Sequence, residues 1–206
     1  MAYPEPLEAL IEAFEAFPGV GRVTAERLAF HVLREPGARR LAPAIERAAQ
    51  ETTRCSICGN ITEDDPCPVC SDERRDATTI AVVEEPRHVE AMERAGVYKG
   101  RYHVLMGALN PAEGTEARHL AVPALVERVR AGEVREVILA TDPDAEGEAT
   151  GLAVVEALER GLEEPPRITR LARGLPAGSA LEYLHRGILE DALEGRRTVG
   201  RRASES

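Results

Sequence analysis

The chain has 206 residues, 43% hydrophobic and 30% charged, with a formal net charge of −10. This balance excludes an intrinsically disordered chain and leaves room for one main core plus small modules. No apolar run approaches the roughly 20 residues that span a bilayer, and the acidic start "MAYPEPLEALIEAF" does not read as a secretory signal, so a cytoplasmic setting is expected. The negative total leaves nucleic-acid binding open, because only a local basic face is needed for it. Lys99 is the only lysine. Arginine is the better bidentate phosphate ligand, although codon usage alone produces the same bias. With no Trp and 3% aromatics, a base-stacking mode of single-strand binding is poorly supplied.

Leu7, Leu10, Ile11 and Phe14 recur at helical spacing, and Pro18-Gly19 ends that helix. A second helix is expected from Arg22 or Val23 to Leu33, with Leu28, Ala29 and Val32 inward; a third covers "RLAPAIERAAQET". Residues 1–53 thus read as a small helical module. Four cysteines follow in residues 54–72. From Thr78 to residue 174 the pattern alternates. "TIAVVEE", "RYHVLMG", "EVILAT" and "RITRLARG" read as strands, with helices at "PRHVEAMERAG", 120–131 and "GEATGLAVVEALERG" between them. That order argues for an α/β domain: a mostly parallel sheet with helices on both faces. Residues 175–206 give one or two helices and a basic tail.

Three constellations carry chemistry. The first is Cys55-x2-Cys58-x8-Cys67-x2-Cys70. Two knuckles of this spacing converge four thiolates on one tetrahedral ion, so structural Zn²⁺ is expected, holding a segment too small for a core of its own. Unmetallated thiols or two disulfides are the alternatives, and both fit a cytosolic chain poorly.

The second is Pro18-Gly19-Val20-Gly21 between two helices, a helix-hairpin-helix signature. Gly19 and Gly21 allow the backbone to approach a phosphate, at which the first amides of the next helix point. Arg22, Thr24 and Arg27 would add side-chain contacts. Such binding reads the DNA backbone, is independent of sequence and is sensitive to salt. The plain alternative is an ordinary turn between helices.

The third is "ATDPDAEGEATG", in which Asp142, Asp144, Glu146 and Glu148 fall within seven residues. In a parallel sheet this loop and Glu84, after the first strand, share the carboxyl edge where such folds place their sites. Asp142 and Asp144 would ligate Mg²⁺ through water, and Glu84 would serve as general acid or base. A solvated acidic edge, or a docking patch for a basic partner that includes Glu146, is the alternative.

Together these stretches resemble the RecR recombination mediator family over nearly the whole chain. The resemblance is carried by "FPGVGRVTAERLAFHVL", "CSICGNITEDDPCPVC", "IAVVEEP", "YHVLMGALNPAEG", "EVILATDPDAEGEATG", "ITRLARGLPAGSALEY" and "ALEGRRTV". The sheet domain resembles Toprim, shared by topoisomerases and bacterial primases. The resemblance implies a ring-shaped homo-oligomer, a tetramer, that encircles or clamps DNA. It also implies a role beside RecO, and sometimes RecF, in loading RecA onto DNA coated by single-strand binding protein, with no catalysis. Two departures stand out. The family hairpin commonly continues Gly-Pro-Lys-Ser, whereas here it reads Gly21-Arg22-Val23-Thr24; Arg27 does match. Many members lack the loop aspartates, whereas Asp142 and Asp144 resemble the topoisomerase version. Tyr3, Tyr98, Tyr102 and Tyr183 are the only tyrosines, and no length remains for a topoisomerase arch. A primase would need basic residues that the segment lacks. A Mg²⁺-dependent Toprim nuclease built on Glu84, Asp142 and Asp144 is the rival reading, and docking of a basic partner is preferred.

Overall fold

A computed structural model describes residues 3–112 and 114–197. Two compact units divide the chain, one of residues 1–53 and 62–64, the other of 54–61 and 65–206. The expected basic tail beyond Arg197 lies outside the described residues. Among the described residues no helix is long and apolar enough to cross a membrane.

In the first unit, α1 (Glu5–Glu15) has proline in its first turn, and α2 (Arg22–Arg34) starts on Gly21 with no side-chain cap. Proline is tolerated there because the first amides have no helical partner to lose. Gly19 turns the corner at φ +76°, and a Cβ placed on it would meet nothing within 4 Å, so it is the backbone angle rather than space that calls for glycine. Ile11, Ala25 and Ala29 form the core, backed by Leu7, Leu10, Phe14 and Val20. The inward face of α2 holds Ala29 as expected and adds Ala25, which the sequence reading did not name. Ala25 and Ala29, one turn apart, bring the two helices close, while Leu28 is 38% exposed. A 3₁₀ turn (Pro36–Arg40) leads to α3 (Leu41–Glu51).

The cysteine segment has two short paired strands, β1 (Thr53–Arg54) and β2 (Ile61–Thr62), and a single turn of helix, α4 (Pro68–Ser71). The Toprim-like sheet follows. Strands β3 (Asp76–Val83), β4 (Gly100–Val104), β5 (Glu136–Leu139) and β6 (Arg167–Arg170) are all parallel, in the order β4-β3-β5-β6. Between them run α5 (Pro86–Ala95), α6 (Val122–Ala131) and α7 (Ala145–Gly161). Gly96 closes α5 in the left-handed region at φ +67°. Side chains alternate across β3. Ile80 and Val82 join a core with α6 and α7, through Leu125, Val129, Val154 and Leu158. Ala81 and Val83 join one on the other face with Val89 of α5, Tyr102 and Val104. Strands end earlier than their apolar runs suggest. Glu84 and Thr141 lie past the last paired residues, because the chain leaves the sheet there to build its loops. After β6, a 3₁₀ turn (Leu181–Tyr183) precedes the one terminal helix among the described residues, α8 (Arg186–Glu194).

Candidate nucleic-acid interface, metal centre and acidic cleft

The glycine corner presents the uncapped start of α2. The Ala25 amide bonds the Gly21 carbonyl at 3.0 Å, which leaves the three amides before it as the helix's unsatisfied donors. Val23 and Thr24 are exposed beside them. Arg27 is exposed and makes no ion pair among the described residues. Arg22 is placed differently. Its two terminal nitrogens meet both oxygens of Glu8 at 2.6 and 2.9 Å, and it also reaches Glu15 at 3.3 Å and Glu26 at 3.1 Å. The hydrogen bonds from Arg22 hold the Glu8 carboxyl below its usual range. A fork binding two oxygens of one carboxylate is the strong form of this pairing, so Arg22 clasps α1 to α2.

The four cysteines are all buried and reduced, and their sulfur atoms lie within 4.8 Å of one another. Cys58 Sγ and Cys67 Sγ are 3.6 Å apart. A disulfide needs about 2.05 Å, whereas Zn–S bonds of about 2.3 Å in a tetrahedron set sulfurs about 3.8 Å apart. The thiols therefore fit structural zinc. Backbone geometry builds each knuckle. The Gly59 amide donates to Cys55 O at 2.9 Å, the Cys55 amide to Asn60 O at 2.8 Å and the Cys67 amide to Cys55 Sγ at 3.4 Å. Asp65 accepts from the Ser56 amide and hydroxyl at 2.8 and 3.0 Å, tying the two knuckles together. Cys58 O accepts the Val104 amide at 2.8 Å, so the first knuckle rests on β4. Arg128, which burial makes less basic, donates to Tyr102 O at 2.6 Å and lies close enough to Cys70, Cys58 and Cys55 to feel their charge.

At the carboxyl ends of β3 and β5 a cleft of about 340 Å³ is lined by Glu84, Met106, Gly107, Asp142, Asp144 and Glu146, among others. Glu84 is 5% exposed, and its Oε1 accepts the Asp142 amide at 3.1 Å. Burial foremost, helped by the charges of Asp142 and Asp144, holds the Glu84 carboxyl above its usual range, against the pull of the Asp142 amide and His88. Met106 stands at φ +67° on the cleft wall, a conformation rare for a side chain of its size.

The four loop carboxylates divide. Asp142 stays by Glu84. Asp144 caps α7, its Oδ1 accepting the Gly147 amide at 2.8 Å. Glu146 is exposed on the rim without a side-chain partner among the described residues. Glu148 pairs with Arg170 and Arg173. His88, from the first turn of α5, joins the site with Nε2 3.7 Å from Asp142 Oδ2. Sequence reading missed His88, because "PRHVEAMERAG" reads only as a helix face. The one local signal is its place four residues after Glu84 at the strand end.

A parallel sheet with acids at its carboxyl edge, preceded by a four-cysteine metal knuckle and a glycine-cornered helix pair, defines a Toprim-class protein with nucleic-acid-binding appendages. Comparison with known proteins agrees. Residues 78–172 match the Toprim domain model, 7–49 the RecR helix-hairpin-helix model and 52–72 the model of the RecR four-cysteine zinc finger domain. Recombination protein RecR of Moorella thermoacetica is 49% identical over 199 residues, covering 95% of this chain and 98% of that protein. Recombination protein RecR of Rhodopirellula baltica is 46% identical over 192 residues, covering 92% and 95%. That of Pelotomaculum thermopropionicum is 47% identical over 201 residues, covering 96% and 98%. The chain belongs to the RecR family.

Proposed function

We propose that the protein is a non-enzymatic recombination mediator in DNA repair, acting in the cytoplasm. It grips the sugar-phosphate backbone through Gly19, Gly21, Thr24 and Arg27 and works as a ring-shaped homo-oligomer, a tetramer. Labour divides along the chain. Residues 1–53 hold DNA, 54–72 hold zinc, 78–174 form the Toprim domain, and 175–206 contribute to assembly. The acidic cleft rim, Asp144 and Glu146, receives a basic mediator of the RecO type, with RecF where present, so that RecA is loaded onto DNA coated by single-strand binding protein. Membership in the RecR family supports the role. The observation that carries the DNA contact is the uncapped start of α2 beside Arg27, which has no ion pair among the described residues, with Arg22 engaged by three carboxylates.

Arg22, Thr24 and Arg27 were all candidates for phosphate contact, and the arrangement favours Arg27. Replacing Arg27 by Gln is expected to weaken binding to a duplex of any sequence and to reduce the salt slope of binding by about one. Replacing Arg22 by Gln should instead lower the melting temperature of the helical module. If fluorescence anisotropy over a salt series gives the Arg27 variant the affinity and slope of the parent, the DNA-contact reading fails. The rival nuclease reading has one observation in its favour, the raised pKa of Glu84, which suits a general acid. Against it stands Asp144, whose carboxylate oxygen is taken by the α7 cap.

A further inference from the structure

β4 is an edge strand, and its open side brings a cation to the zinc knuckle. The Tyr102 carbonyl accepts Arg128 Nη1 at 2.6 Å, and two residues on the Val104 amide donates to Cys58 O at 2.8 Å. Two residues of strand span only about 6.6 Å, so guanidinium and knuckle hold neighbouring groups of one edge. The knuckle is pressed against that edge. A Cβ on Gly59 would stand 3.0 Å from Val104 O, and Val69 packs both on the four cysteines and on the core that holds Tyr102 and Val104. Arg128 arrives from α6, whose Leu125 and Val129 pack on the opposite face with Ile80 and Val82. It is partly buried and has no carboxylate partner among the described residues. Arg101 lies near enough to oppose its charge, and Arg101 Nε is buried with no hydrogen-bond partner among the described residues. Partly buried cations that repel one another call for an anion. The groups of opposite sign that act on Arg128 are Cys70, Cys58 and Cys55. As neutral thiols they supply no charge. Four thiolates around one Zn²⁺ leave two surplus negative charges in a buried knuckle.

We infer that Arg128 is the counter-cation of the zinc–thiolate centre. Its guanidinium, always charged and fixed on the Tyr102 carbonyl, offsets the repulsion among the gathered thiolates. Zinc affinity is then a property of the sheet domain as well as of the four-cysteine segment, because α6 supplies the balancing charge. This goes beyond the mediator reading and does not rest on it.

The test is an equilibrium competition for zinc between the full chain and a chromophoric chelator. Arg128→Gln, whose amide can still donate to the Tyr102 carbonyl, should lower zinc affinity at least about tenfold. Arg128→Lys, which restores the charge, should recover most of the loss. Arg130→Gln, on the same helix but exposed and paired with Glu127, should bind zinc like the parent. The cobalt-substituted chain gives a second reading, which lost packing alone would not move in a set direction. A cation near the sulfurs lowers the energy of their electrons. Removing it in Arg128→Gln should move the thiolate-to-cobalt charge-transfer band to longer wavelength, with Arg128→Lys close to the parent. Should Arg128→Gln not fold, Arg101→Glu leaves Arg128 in place, offers it a competing carboxylate and should weaken zinc binding in the same direction. The proposal is overturned if Arg128→Gln, or in its stead Arg101→Glu, holds zinc as tightly as the parent. It is overturned too if Arg128→Lys or Arg130→Gln loses as much as Arg128→Gln, or if the cobalt band stays in place. Weaker duplex binding by Arg128→Gln with zinc affinity unchanged would make the guanidinium a phosphate ligand instead. None of these outcomes bears on Arg27, which is tested separately.

Discussion

His103 shows how much a single buried ring can weigh. It sits in β4, 2% exposed, with Nε2 2.9 Å from the Ala121 carbonyl and Nδ1 without a partner among the described residues. A neutral ring with its proton on Nε2 donates to that carbonyl. Burial, helped by the charge of Arg128, holds the pKa down to about 4. The unfolded value is about 6.5, so the fold favours the neutral ring. Its contribution is present above the unfolded value and is lost as pH falls from there through the folded one. It amounts to about 3 kcal/mol in all. Urea unfolding at pH 7.5 and pH 4.5 should show a larger acid loss for the parent than for His103→Gln, whose amide can still donate to Ala121. Equal losses would refute this account.

At the same scale, legibility divides by distance. The cysteines and the corner glycines were readable, because their chemistry depends on neighbours a few positions away. The clasp on Arg22 was not, because Glu8 and Glu15 reach it from α1 only after the helices pack. Asp144 looked like a metal ligand because an N-cap and a ligand are the same residue type in the same loop; only the Gly147 amide tells them apart.

Among elements, the junction of β5 and α7 is the most constrained. A Cβ on Gly147 would lie 2.1 Å from the Asp142 carbonyl oxygen, so the helix start and the acidic loop touch backbone to backbone. Thr150, fully buried, donates to Glu146 O at 2.7 Å and accepts the Leu109 amide at 2.8 Å, fixing the loop after β4 to the same helix. Two effects compete in Gly147→Ala. Helix propensity favours alanine by about 1 kcal/mol. A contact that close forces backbone movement, and overpacking costs about 1–3 kcal/mol, with the high end apt for main-chain atoms. Net destabilisation of about 1–2 kcal/mol is expected from chemical denaturation; a more stable variant would show that the loop yields freely. The strands and helices here were legible from period and turn residues. The strand order β4-β3-β5-β6 was not, since adjacency in a parallel sheet is set by crossovers that leave no mark on local pattern, and neither was the approach of α5 that delivers His88.

Over the whole molecule, charge is unevenly shared. Residues 1–53 hold six arginines against eight carboxylates, and the remaining chain holds 28 carboxylates against 20 basic residues. A polyanion is therefore repelled less by the helical module than by the rest, and within that module the pairing of Arg22 leaves Arg27 as the exposed positive charge at the corner. The surplus of acid elsewhere suits a basic protein partner, whose encounter it would steer. Glu146→Lys is expected to weaken capture of a RecO-type protein in a pull-down while leaving duplex affinity near the parent's. The reverse pattern would place DNA, not protein, at the cleft. Labelled DNA incubated with Mg²⁺ should stay intact throughout; cleavage that disappears in Glu84→Ala would establish the nuclease instead.

The outer flank of β4 carries one more implication. Open sheets end in strands whose free amides and carbonyls can recruit a stranger's backbone. Here the Val104 amide is taken by Cys58 O of the zinc knuckle and the Tyr102 carbonyl by Arg128 of α6, so knuckle and helix together seal that flank as a plug seals a seam. Stripping the ion would thus unseal a ready template for self-association, and clouding of the solution would precede any loss of helix.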